Sequence, residues 1–168
     1  TDAQLRALDI QKGVMTLVDA HQQGKTIEAL GAMRNTAPGG SAANTLVAIN
    51  QFGGKAFYSF VTANDDAGST YRAALTECGV DHNFLHHAVP EGVTGKCLVM
   101  VSDDAERTMN TYLGISEPLS PEQLHLDALR NSQYLYIEGY LVSSPTAMAA
   151  VMEAKKVAQE NGVKVAFT

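Results

Sequence analysis

The chain has 168 residues, 45% hydrophobic and 18% charged, the make-up of a folded globular protein and not of a disordered or collagen-like one. Twelve Lys and Arg against eighteen Asp and Glu leave a net charge of −6 without a basic cluster, which argues against nucleic-acid backbones as partners. No run approaches the roughly 20 apolar residues of a membrane span, so no membrane partner is expected. The two cysteines, Cys78 and Cys97, cannot build a disulfide framework, which fits a reducing, cytoplasmic setting.

Asp2 to Leu8 reads as a short helix, and Val14 to Val18 as a strand bounded by Gly13 and Asp19. Asp19 can cap a helix reaching about Leu30. Met33 to Thr36 reads as a short strand. Pro38-Gly39-Gly40-Ser41 is a turn with Ser41 at the N-cap of a helix, and Gly53-Gly54 ends that helix. Lys55 to Val61 is a strand rich in aromatic and β-branched residues. Asn64-Asp65-Asp66 caps a helix that runs to Cys78 and stops at Gly79.

A strand follows at about His82 to His87. Lys96 to Ser102 and Arg107 to Tyr112 form a hairpin around Asp103-Asp104-Ala105-Glu106. Ser120-Pro121-Glu122-Gln123 carries the signature of a capped helix start. Tyr134 to Ile137 is a strand, Ser144-Pro145 opens a helix ending at Asn161-Gly162, and Val163 to Thr168 reads as a buried strand. The alternation predicts an α/β fold: a mostly parallel central sheet flanked by helices, with some separate β material. A chain that starts at Thr1 and stops on a buried strand is expected to be truncated at both ends.

Several nucleotide motifs fail on spacing. Gly24-Lys25-Thr26 would need a glycine where Asp19 stands; Gly54-Lys55 and Gly95-Lys96 lack the following Ser or Thr. No Gly-x-Gly-x-x-Gly follows a strand, and no Gly-x-Ser-x-Gly elbow is present. Among the histidines, His82, His86 and His87 lack the Cys or carboxylate partners of a zinc site and read as exposed or simply hydrogen-bonded. No metal site is expected. Cys78 and Cys97 read as small buried hydrophobes.

The strongest site signal is Pro38-Gly39-Gly40-Ser41-Ala42-Ala43-Asn44. Two adjacent glycines let a ligand approach the backbone, and the helix start behind them offers unpaired N–H donors. Asn44, one turn in, carries both a donor and an acceptor, as a pair of sugar hydroxyls requires. Read alone, the segment is more often a turn with a capping serine, and Asn44 a polar helix residue.

The stretch from Gly39 to Val80, with its Phe-Gly-Gly and Asn-Asp-Asp-Ala-Gly, resembles the N-terminal signature region of the ribokinase-like (PfkB) carbohydrate kinases. Thr94 to Val101, Glu106 to Thr111 and Tyr136-Ile137-Glu138-Gly139-Tyr140 look most like the adenosine kinase-like branch. The resemblance implies an ATP-dependent kinase that phosphorylates a hydroxymethyl group of a sugar or nucleoside. It implies a ribokinase-like sheet with a small β lid drawn from about 14–18, 33–36 and 96–112. Gly39 and Gly40 match the family's hinge glycines and Asn44 its sugar-binding asparagine. Glu138 lies where some members place a sugar contact, and Arg107 is a lid candidate. ATP and Mg2+ are implied, with room for a monovalent cation. Relatives are monomers or lid-mediated homodimers.

The family's late Gly-Ala-Gly-Asp motif, which carries the catalytic aspartate, does not occur. Asp65-Asp66 and Asp103-Asp104 sit in a cap and a turn and do not replace it. The catalytic aspartate and the nucleotide half are expected beyond Thr168, and the first family strand before Thr1. The reading is therefore a substrate-binding half, incomplete for catalysis. The alternatives are a non-enzymatic sugar or nucleoside-binding module, or a plain nucleotide-binding domain, the last disfavoured by the failed motifs.

Overall fold

The structure is a computed structural model that describes residues 1–31 and 35–168. The proposed strand at 33–36 therefore lies partly outside the described residues. The chain divides into two units, a smaller one of residues 1–37 and 95–114 and a larger one of residues 38–94 and 115–168.

The smaller unit opens with α1 (Asp2–Ala7), closed by a capping box in which Thr1 and Gln4 satisfy each other's backbone N–H groups. β1 (Met15–Leu17) pairs in parallel with β5 (Arg107–Gly114), Met15 opposite Met109. β4 (Thr94–Val101) flanks β5, giving the order β1-β5-β4. The hairpin turn between β4 and β5 closes through Ser102 N–H to Glu106 O at 3.0 Å. α2 (Ala20–Leu30), capped by Asp19, covers one sheet face. Its buried Gln23 donates to the carbonyls of Lys96 (3.0 Å) and Asn110 (3.1 Å), fastening helix to sheet through polar groups. Lys12 bridges Asp2 at 2.8 Å and Asp104 at 2.7 Å.

The larger unit is α/β with parallel strand pairs. β2 (Phe57–Tyr58) pairs with β3 (Asp81–His82), and β6 (Tyr134–Ile137) with β7 (Lys164–Phe167). α3 (Ser41–Gln51), α4 (Asp66–Glu77), α5 (Leu126–Arg130) and α6 (Pro145–Glu160) supply the helices. α6 starts as the sequence predicts, with Ser144 accepting from Ala147 N–H and Pro145 in the first turn. Its small stripe Ala147, Ala150, Ala154 and Ala158, spaced three and four apart, is buried. One apolar cluster joins Ala43, Phe60, Leu75 and Val80; another joins Val61, Leu119, Ala147 and Ala150.

Several local expectations change. The strand expected over 55–61 shrinks to Phe57–Tyr58, because the N–H and carbonyl of Phe60 bond to the Asn83 side chain (3.2 and 3.0 Å) instead of to a neighbouring strand. The strand at 82–87 is likewise cut off by a 3-10 turn at Asn83–Leu85. The 121–123 signature forms only one 3-10 turn, since Leu124 is extended and the chain restarts as α5 with His125 as cap. β7 is an exposed strand, not a buried one; Phe167 is 62% accessible. Cys78 and Cys97 are also exposed: Cys78 terminates α4 at the surface, and Cys97 lies on β4 beside the Thr111 hydroxyl. No described helix is long and apolar enough to cross a membrane.

Candidate substrate site

The sequence places the candidate site at the start of α3, and the backbone there has an unusual form. Gly40, not Ser41, is the N-cap, and its φ of 111° is a conformation that L side chains rarely adopt. Ser41 is the first helical residue, so its hydroxyl cannot cap from the N-cap position, and α3 begins with no side-chain cap. A Cβ added to Gly39 would meet nothing within 4 Å. Both glycines are exposed. Asn44 N–H closes the first turn on Gly40 O at 3.0 Å, while the Asn44 side chain is exposed. That amide is thus available to ligand hydroxyls.

What holds this segment from outside is a residue that sequence reasoning missed. Tyr71, on α4, donates its hydroxyl to Gly39 O at 3.1 Å. Tyr71 is packed edge-on against Phe60, centroids 5.3 Å apart, and Phe60 in turn lies tilted against Tyr58 at 4.8 Å. Tyr58 and Tyr71 pack against the same Phe60 ring. Burial pushes both phenols above their ordinary range; the neighbouring Tyr71 partly offsets this at Tyr58, and the charge of Glu138 adds to the rise there. The Tyr71 hydroxyl therefore stays protonated, a donor, at any physiological pH.

Glu138 enters this group from the end of β6. Its carboxylate accepts from Tyr136 hydroxyl at 2.9 Å, and its field reaches Tyr58. Within the larger unit Tyr71 thus ties Gly39 to α4. Local periodicity could not reveal this, since the contact joins a loop to a helix 32 residues further on. Arg107 belongs to the smaller unit, exposed at the start of β5.

The carboxylates do not fit a magnesium ion. Asp65 caps α4 through Gly68 N–H (2.8 Å) and accepts the Thr94 N–H and hydroxyl (3.0 and 2.5 Å). Asp2 and Asp104 line an open hollow in the smaller unit, but the Lys12 ammonium already bridges them, and it holds Asp104 well below the usual carboxylate range. Among the described residues no three His, Cys, Asp or Glu side chains are placed as metal ligands. His86 and His125 stack ring on ring at 4.2 Å, a packing contact. His82 is buried, with Nε2 3.3 Å from the Thr76 hydroxyl.

Comparison with known proteins identifies the family and the fold. The family described as pfkB family carbohydrate kinase matches over residues 14–168. A probable fructokinase-3 of Arabidopsis thaliana is 28% identical over 134 residues, covering 78% of this chain and 38% of its own length. The crystal structure of adenosine kinase from Sinorhizobium meliloti superposes with a TM-score of 0.86 at 32% identity, covering 99% of this chain and 50% of that one. A probable sugar kinase from Rhizobium etli CFN 42 gives 0.85 at 30% identity, again over 99% of this chain and 50% of that one. The chain spans about 40% of the length of the curated relatives it matches and about half of these solved kinases.

Proposed function

For a chain that belongs to the pfkB carbohydrate kinase family, as this one does, we propose the role of substrate-binding half in an ATP-dependent sugar or nucleoside kinase. The observation that carries this reading is the start of α3. There an exposed glycine pair and an exposed Asn44 amide share one helical turn, with Gly39 held by the Tyr71 hydroxyl. Gly39 and Gly40 give the backbone freedom and close approach. Asn44 donates to one substrate hydroxyl and accepts from a neighbour; Glu138 accepts from another. The smaller unit, with β1 and the β4–β5 hairpin, supplies the lid, and Arg107 is its candidate contact.

ATP supplies the phosphoryl group in such a reaction. In-line transfer also needs a base at the acceptor hydroxyl and donors around the phosphoryl oxygens. The sequence carries no Gly-Ala-Gly-Asp for that task, and Asp65 and Asp104 are engaged elsewhere. No transfer step is therefore assigned to these residues.

Calorimetric titration with ribose, fructose and adenosine tests the reading. One of them binds, and Asn44→Ala weakens that binding by about 1–3 kcal/mol, the cost of an unpaired polar partner. Unchanged affinity would remove Asn44 from the site. Incubation with ATP, magnesium and each acceptor gives no phosphorylated product; robust turnover would overturn the assignment of an incomplete catalytic half.

A further inference from the structure

We propose that Tyr71 is a positioning residue for the candidate site: its hydroxyl, held on Gly39 O, fixes the entry of α3 and so the direction of Asn44. This inference rests on the substrate-site reading above but makes its own claim about the backbone.

The argument begins with what α3 lacks. The first N–H groups of a helix have no partner inside the helix, and a side chain at the N-cap commonly serves them and fixes the entry angle. At α3 the N-cap is Gly40, with no side chain and a φ of 111°. Neither Gly39 nor Gly40 carries a side chain that could pack, and the space around Gly39 is open. A Gly-Gly entry left to itself samples many conformations. In α2, α4 and α6, by contrast, Asp19, Asp65 and Ser144 cap from the helix's own chain.

Tyr71 supplies the restraint from a different helix. Its ring is immobilised edge-on against Phe60, itself 8% exposed and part of the apolar cluster with Ala43, Leu75 and Val80. The hydroxyl thus projects from a rigid base, and it meets Gly39 O at 3.1 Å. Burial keeps the phenol protonated, so the donor persists. A ligand that engages both Asn44 and Glu138 would meet a backbone already set for it, which lowers the ordering cost of binding.

Hydrogen exchange of the 168-residue chain, followed residue by residue, tests the latch without any ligand. Tyr71→Phe keeps the ring against Phe60 and removes only the donor. Amides of residues 44–46, the first that are hydrogen-bonded in α3, are expected to exchange at least about fivefold faster, while α6 amides 150–158 keep their protection. Tyr58→Phe leaves the Gly39 bond in place and should leave residues 44–46 unchanged. Equal exchange at 44–46 in wild type and Tyr71→Phe would overturn the proposal. If Tyr71→Phe loses protection in α6 as well, Tyr71 is a structural core residue and the proposal also falls.

Binding of whichever of ribose, fructose or adenosine the wild type takes should weaken about 5–30-fold in Tyr71→Phe. Unchanged affinity beside faster exchange would overturn the positioning role. If none of the three binds the wild type, the substrate reading fails, and the backbone claim is still decided by exchange.

Discussion

Among the described residues, every buried hydrophobic side chain except Leu5 belongs to the larger unit, from Ala43 and Phe60 to Val157 and Val163. The smaller unit instead buries Gln23, Thr26, Ser102, Thr108 and Asn110. On its sheet Met15, Leu17, Val99 and Val101 stay 47–65% exposed. One unit is held mainly by removal of apolar surface from water, the other mainly by directional hydrogen bonds. Apolar burial contributes more per residue and tolerates small displacements. A hydrogen-bonded interior contributes less net free energy and is lost when its geometry is lost. The smaller unit is thus expected to open locally at lower cost than the larger one.

The sharpest break of this contrast pairs two leucines. Leu75 is 2% exposed between Phe60 and Val80, so Leu75→Ala should lower unfolding stability by about 2–5 kcal/mol in urea titration. Leu17 is 59% exposed on β1, and Leu17→Ala should change it by less than about 0.5 kcal/mol. Comparable losses would show that the smaller unit has an apolar core after all.

Next in size is Thr94, 5% exposed, where the larger unit hands the chain to β4. Its hydroxyl donates to Asp65 and accepts from Ala63 N–H at 2.9 Å. Thr94→Val keeps the shape but strands that buried N–H, at a cost of about 1–3 kcal/mol. Gln23→Met, the matching test in the smaller unit, removes two bonds to β-strand carbonyls and should cost about 1–2 kcal/mol. Its distinguishing readout is local: exchange should quicken in β4 and β5, with α6 unaffected.

These tests rest on contacts the sequence disclosed unevenly. Elements framed by their own chain were legible: Ser144-Pro145 and Gly162 bracket α6, and Asp65 caps α4 where expected. The same holds for the hairpin and for β6, whose signals are spaced a few residues apart. Features set by distant partners were not. Asn83 replaces a strand neighbour at Phe60 from 23 residues away, and Tyr71 reaches Gly39 across 32. Ser41 looked like a cap because capping statistics say nothing of a glycine already turned to positive φ. Cysteine burial failed for a related reason: hydrophobic character is local, but which face of β4 is covered depends on where α2 docks. The candidate segment Gly39, Gly40 and Asn44 carries a signal that is continuous in sequence, whereas the Tyr71 contact with Gly39 does not.

The smallest expected effect probes the larger unit's one buried imidazole. His82 is 3% exposed, ringed by Phe60 and Phe84 at 5.5 and 6.4 Å. Burial, then the Arg72 charge, lowers its pKa from 6.5, against a weaker opposing pull from Asp81; His86 adds slightly to the lowering. The folded state therefore resists a proton that the unfolded chain accepts near pH 6.5. Above that pH both states hold a neutral ring and no difference arises. As pH falls below it the unfolded state binds more protons, and stability declines toward the lower folded-state pKa. His82→Phe removes this dependence without orphaning Thr76, whose hydroxyl still donates to Arg72 O at 3.1 Å. Between pH 7.5 and 5.5 the melting temperature of the wild type should fall further than that of His82→Phe. Parallel slopes would mean that His82 is protonated as readily in the folded chain as in the unfolded one, and that the larger unit's core is wetter at this point than its apolar lining implies.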